Sequence, residues 1–208
     1  MLMEKILVLL VIVAAVFARN YPMYKQCDPQ WANDQLGTSP TMTICKAGCL
    51  MSSAAMALAG TGHSYNPRTL NQWLKANGGY VSDDLFVWAS INKLGLTFGG
   101  FINNANIKAN LDAGKVVICN VHNGGHWVLA YGYNGDNILV NDPGYSTTSY
   151  TLAQIVNGNT GVYTVSKMPA FLKYLFETVK DFGLSIFGAN TKDFADRPVV
   201  EKNLLFQE

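Results

Sequence analysis

Charge is scarce in this chain. Asp, Glu, Lys and Arg make up 14% of its 208 residues, and the net charge is +1. Phosphate binding needs clustered Lys and Arg, so nucleic acid is not an expected partner. Histidine is rarer still, with three residues. No Asn-x-Ser/Thr acceptor occurs, so N-glycosylation is not expected. Internal repeats and low-complexity blocks are absent. Long apolar runs are missing too: the longest, Ile6 to Phe17, falls short of the roughly 20 residues of a comfortable bilayer span.

That short run has the marks of an address label. Lys5 precedes it and Val16-Phe17-Ala18 at its end fits a small-residue cleavage site, so residues 1–18 are expected to be a signal peptide, with an uncleaved anchor as the alternative. The destination is then the secretory route, ending outside the cell or in a lysosome or vacuole lumen. Residues 19–168 are long enough for one domain with a sizeable core. Pro169 opens a different segment, 169–208. Leu172, Leu175, Phe176 and Val179 recur at helical spacing with Lys173, Glu177 and Lys180 between them, predicting an amphipathic helix over 170–184. Packing on the parent domain is the simpler use of that face; docking on a membrane surface or a partner protein is the alternative. The last dozen residues are expected to be loose.

Four cysteines in an oxidising compartment invite two disulfides, but the surroundings of each sulfur favour one. Cys27 and Cys45 flank a polar loop with little apolar content, which a disulfide between them would staple. Cys119 ends Lys115-Val116-Val117-Ile118-Cys119, a buried-strand composition, and is expected to be a small core residue. Cys49 is then left free.

The pattern between these points predicts helices first and strands later, an α+β order. One helix runs from Cys49 to Ala59 and ends at Gly60 and Gly62. A second follows the cap Asn66-Pro67, with Leu70, Trp73 and Leu74 on one face and a stop at Asn77-Gly78. A third is expected from Ser82, with Asp83 and Asp84 in its first turn and Leu85, Trp88 and Ile91 as its stripe, ending at Gly95. Strands are predicted over 115–121, 126–133, 138–141 and 161–166, with a hairpin at Asn134-Gly135 and a capping box at Thr151 to Gln154.

Cys49 opens its helix after Gly48, where unsatisfied N–H groups and the helix dipole favour a thiolate. The bland alternative is a buried core cysteine. Of the histidines, His126 is the strongest candidate base: it follows Gly124-Gly125, begins a strand and is flanked by Trp127. His122 comes next and the loop residue His63 last. The third member should lie across the hairpin. A two- or four-residue loop selects Asn141, whereas a three- or five-residue loop selects Asp142. Gln26 and Gln30 are the upstream amides available for an oxyanion hole.

Three segments together carry a resemblance: Tyr24-Lys25-Gln26-Cys27-Asp28-Pro29-Gln30-Trp31, the run from Gly48-Cys49 to Ser53-Ala54-Ala55-Met56, and Gly125-His126-Trp127-Val128 with Asn141-Asp142-Pro143. Over about residues 24–166 the chain resembles the bacteriocin-processing-peptidase-like branch of the papain-like cysteine peptidases. The resemblance implies an α+β papain-like fold, with the Cys49 helix leading the helices onto a small, mostly antiparallel sheet that carries His126 and Asp142. It implies Cys49 as nucleophile, His126 as base, Asp142 rather than Asn141 as its orienting partner, and Gln26 as the oxyanion amide. Choosing Asp142 in turn predicts an odd-length hairpin loop. A secreted cysteine peptidase cutting a peptide or amide bond, with no metal or organic cofactor, is the expected function. A non-catalytic papain-like module and a bacterial cell-wall amidase or endopeptidase acting on peptidoglycan are the alternatives. Substrate and oligomeric state are not given by the resemblance.

Overall fold

Nothing in the stretch from Cys49 to Gly60 is charged, so a helix there has no natural solvent face. The computed structural model describes residues 20–165, and in it this helix, α2 (Cys49–Gly60), is buried from Met51 to Leu58. A four-residue turn, α1 (Ile44–Ala47), leads into it, capped by the Thr43 side chain accepting from Lys46 N–H. Gly48 joins the two. A Cβ there would lie 2.5 Å from the Ile44 carbonyl oxygen, so only glycine lets α1 turn this tightly into α2. The next helix, α3 (Pro67–Ala76), starts on a capping box between Asn66 and Thr69 with proline in its first turn, and buries Leu70 and Leu74.

The third helix expected from sequence is not there as drawn. Tyr80–Val81 (β1) and Leu85–Phe86 (β2) pair antiparallel instead, and a 3-10 helix begins only at Trp88, running to Leu94 before Gly95. Ser82 and Asp83 have φ of 46° and 72°, in the left-handed region that an N-cap and first helical turn cannot use. Thr38 holds the turn open by donating its N–H to the Asp83 carbonyl (2.8 Å) and its hydroxyl to the carboxylate (3.0 Å). Tertiary pairing here outweighs the local acidic-cap signal.

Six strands form one sheet in the order β3-β8-β4-β5-β6-β7, with every neighbouring pair antiparallel. They are β3 (Leu96–Ile102), β4 (Val116–Val121), β5 (His126–Asn134), β6 (Asn137–Asn141), β7 (Ser149–Thr151) and β8 (Ile155–Val165). Strand β3 and the short helix α4 (Ile107–Asp112) are additions to the sequence-based reading, and β8 starts earlier than predicted. Side chains alternate between two cores as the period of two requires. Ile118, Leu129 and Tyr163 pack with Ala54, Ala55 and Leu58 of α2, while Val117, Cys119, Val128, Ala130, Ile138 and Val140 face the opposite cluster with Ile107 of α4. Cys119 is fully buried and unbridged, as its strand composition predicts. The expected signal peptide at 1–18 and amphipathic helix at 170–184 lie outside the described residues.

Candidate active site

Three elements bring the chemistry together at one end of the sheet. Helix α2 presents Cys49 at its first residue, as a half-buried free thiol. Strand β5 presents His126 at its first residue, 5% exposed. Asp142 follows directly on β6 and is fully buried. His126 Nε2 lies 2.7 Å from Asp142 Oδ1. A carboxylate only accepts, so Nε2 carries the proton, which leaves Nδ1 as the ring nitrogen that Asp142 does not engage. Cys49 and the same imidazole line one cleft.

How the hairpin delivers Asp142 differs from the sequence-based expectation. Asn134 pairs with Asn137, so the loop is only Gly135-Asp136, an even number that by itself selects Asn141. Register then slips between Gly132↔Leu139 and Ala130↔Val140, leaving Tyr131 as the extra residue of a β-bulge. The bulge, and not the loop, changes the parity. Leu129 faces Asn141, which places even-numbered His126 on the side of Asp142. Asn141 points the other way and donates its amide to the carbonyls of Tyr21 (3.0 Å) and Pro22 (3.4 Å).

Asp142 is saturated with donors. Its Oδ1 accepts from His126 and from the N–H groups of Gly144 and Tyr145, both at 2.9 Å, and its Oδ2 accepts from the Tyr150 hydroxyl at 2.8 Å. Burial pulls this carboxyl upward, but His126 and the three other donors hold it below the ordinary carboxylate value. Around His126 the balance runs the other way. Burial is the largest influence and disfavours the imidazolium, yet hydrogen bonds and negative charge from Asp142 and Cys49 outweigh it and raise the group to about 9. An imidazolium between a carboxylate and a sulfur is the arrangement that stabilises a thiolate.

Gln26 reaches the same place from the N-terminal segment. Its backbone N–H donates to the Pro143 carbonyl (2.9 Å), and its side-chain Nε2 donates to the Cys45 carbonyl (2.6 Å). One Nε2 hydrogen remains for another acceptor. Cys27 and Cys45 are joined by a disulfide, so the residue after Gln26 is covalently tied to α1, immediately before Gly48 and Cys49. Gly144 closes the other side: a Cβ there would lie 2.8 Å from His126 Cε1 and 3.4 Å from Gln26 Oε1. Cys49, His126, Gln26 and Gly144 line a cleft of about 560 Å³, walled further out by Trp127 and Phe86.

Several residues here carry no warning in the sequence. Lys25 Nζ donates to the carbonyls of Asp142 (2.6 Å) and Tyr145, strapping the Asp142–Tyr145 turn to the segment that bears Gln26. Tyr145 stands edge-on to His122 and His126, with ring centroids at 4.6 and 4.9 Å. Tyr150 joins Asp142 to His122, whose Nε2 is 3.1 Å from the Tyr150 oxygen. Lys25 had a weak signal in its place beside Gln26, and His122 was the second-ranked histidine; the tyrosines are brought in by β7 and the turn before it. His63 and Gln30 do not line the cleft.

The model of the Peptidase_C39 like family matches residues 18–165. No curated protein matches the chain in sequence. Among solved structures, the chain is similar to a double glycine motif protease from an AMS/PCAT transporter, in complex with the leader peptide. That pair is 15% identical with a TM-score of 0.47, covering 72% of this chain and 94% of that one. A Bacillus anthracis protein described as a C39-like peptidase is likewise 15% identical, with a TM-score of 0.49, covering 72% and 97%.

Proposed function

The chain belongs to the Peptidase_C39 like family, and on that premise we propose that it is a secreted cysteine peptidase acting through Cys49, His126 and Asp142. The observation that carries the reading is a free thiol at a helix start, lining one cleft with an imidazole whose Nε2 is 2.7 Å from a buried carboxylate. The Cys27–Cys45 disulfide supports an oxidising compartment, outside the cell or in a vacuolar lumen, reached by way of residues 1–18.

His126 Nδ1 takes the Cys49 proton, and the sulfur attacks the carbonyl carbon of a peptide bond. The resulting oxyanion is held by the Cys49 N–H and the free Nε2 hydrogen of Gln26. His126 then gives its proton to the departing amine, leaving a thioester on Cys49. Water attacks the thioester after losing a proton to His126. Collapse of that second intermediate releases the carboxylic acid and restores the sulfur. Asp142 keeps the ring in the tautomer that presents Nδ1 throughout.

Incubating the purified chain with a mixed peptide library, and reading new termini by mass spectrometry, tests this directly. Cleavage by the wild type that vanishes in Cys49→Ala supports it. No peptide product from the wild type, together with lysis of peptidoglycan, moves the substrate to the cell wall. Neither activity leaves a binding module of the same fold.

A further inference from the structure

The peptidase chemistry uses one oxygen of Asp142, and the other oxygen leads outward to a second histidine. We propose that Tyr150, backed by His122, is a positioning residue that limits how tightly Asp142 holds the His126 proton. This rests on the roles given above to His126 and Asp142, and extends them to residues that those roles do not use.

Donor direction fixes the chain. An ionised carboxylate has no proton to give, so the Tyr150 hydroxyl donates to Oδ2 at 2.8 Å. The Tyr150 oxygen is then free to accept, and His122 Nε2 at 3.1 Å must be its donor. The bonds therefore run His122 to Tyr150 to Asp142, and His126 meets the same carboxylate from the opposite side. Tyr150 is buried at 4% exposure, and its hydroxyl stays protonated because burial and Asp142 push it up to about 12.

The backbone supports the second histidine's placement. His122 and Asn123 both sit in the left-handed region, with φ of 53° and 54°, a conformation that costs energy in residues other than glycine. That turn brings the His122 ring parallel to His126, with centroids 5.5 Å apart, and edge-on to Tyr150 at 5.6 Å. The groups facing this cluster are Cys49 from α2, His126 from β5, Tyr145 and Thr147 from the β6–β7 connection, and Lys25 from the N-terminal segment.

The chemical reason is a balance. His126 must accept a proton from the thiol and then release it to the leaving amine, and a partner that is too strong would trap it. Each donor to Asp142 spreads the carboxylate charge and weakens its pull on the imidazolium. Two of those donors are backbone N–H groups; among the described residues, Tyr150 is the one besides His126 that comes from a side chain.

The test is a ring-nitrogen NMR titration of His126 in the full chain, comparing wild type with Tyr150→Phe. Loss of the donor leaves more charge on Asp142, so the His126 midpoint rises by about half a unit or more. If Tyr150 merely props the carboxylate, its removal lets Asp142 swing away and the midpoint falls; a fall or an unchanged midpoint overturns the proposal. His122→Ala, at an exposed turn residue, moves the midpoint the same way by less. Should Tyr150→Phe fail to fold, His122→Ala carries the test, and an unchanged or lowered midpoint again overturns it. The titration reads His126 whether or not any peptide is cut, so a raised midpoint without cleavage sinks the peptidase reading alone.

Discussion

At the scale of single residues, the sign of the coupling between His126 and Asp142 can be worked out. His126 is raised from 6.5 to about 9, so its stabilising contribution is fully present below 6.5 and is lost as pH rises through about 9. Asp142 is lowered from 3.8, so its contribution is present above that value and is lost as pH falls through its depressed pKa. Urea midpoints measured across pH should therefore form a plateau between these limits. Asp142→Asn removes the negative partner: the His126 titration moves down toward 6.5, the alkaline edge of the plateau moves with it, and peptide cleavage falls by up to about 10⁴-fold through the wrong tautomer. A His126 midpoint that stays near 9 in Asp142→Asn contradicts the pairing. Gly144→Ala tests the packing of the ring. Its new methyl would stand 2.8 Å from His126 Cε1, so cleavage should fall while the urea midpoint changes little, because the turn is near the surface.

At the scale of elements, Gly48 is the joint that aims the thiol. Gly48→Ala brings a Cβ to 2.5 Å from the Ile44 carbonyl, so α1 must shift, at an expected loss of about 1–3 kcal/mol in urea denaturation together with lower activity. Helices α2 and α3 are legible in the sequence because their signals are local: an uncharged alanine-rich run in one case, Asn66-Pro67 and an apolar stripe in the other. The hairpin is legible for the same reason at Asn134-Gly135. Its bulge is not, because nothing about Tyr131 differs from its strand neighbours until the pairing with β6 is known. The choice of Asp142 over Asn141 therefore came from the family resemblance, because the strand pattern left both open and the bulge that decides the parity is not legible in it. Residues 82–86 misled in the opposite sense: an acidic cap was present, but contacts from Thr38 to Asp83 decided the backbone.

At the scale of the molecule, the disulfide ties the residue after Gln26 to α1, the turn that leads into the Cys49 helix, across 18 residues of chain. Replacing Cys27 and Cys45 together by serine should lower stability by about 2–4 kcal/mol in urea denaturation. It should also reduce cleavage, since Gln26 loses its covalent tie to α1; stability loss with unchanged turnover would assign the bridge to folding alone. The cleft lies at the junction of α2, β5, the β6–β7 turn and the N-terminal segment, so no short window of sequence contains it. All of these parts matter to function only if the Cys49 sulfur is activated by His126. The most direct measurement is the rate at which iodoacetamide labels Cys49 at about pH 6, followed by mass spectrometry in wild type and His126→Ala. Fast labelling in the wild type and at least about tenfold slower labelling in the variant is the expected result, with buried Cys119 unlabelled in both. Equal rates in the two proteins would contradict it.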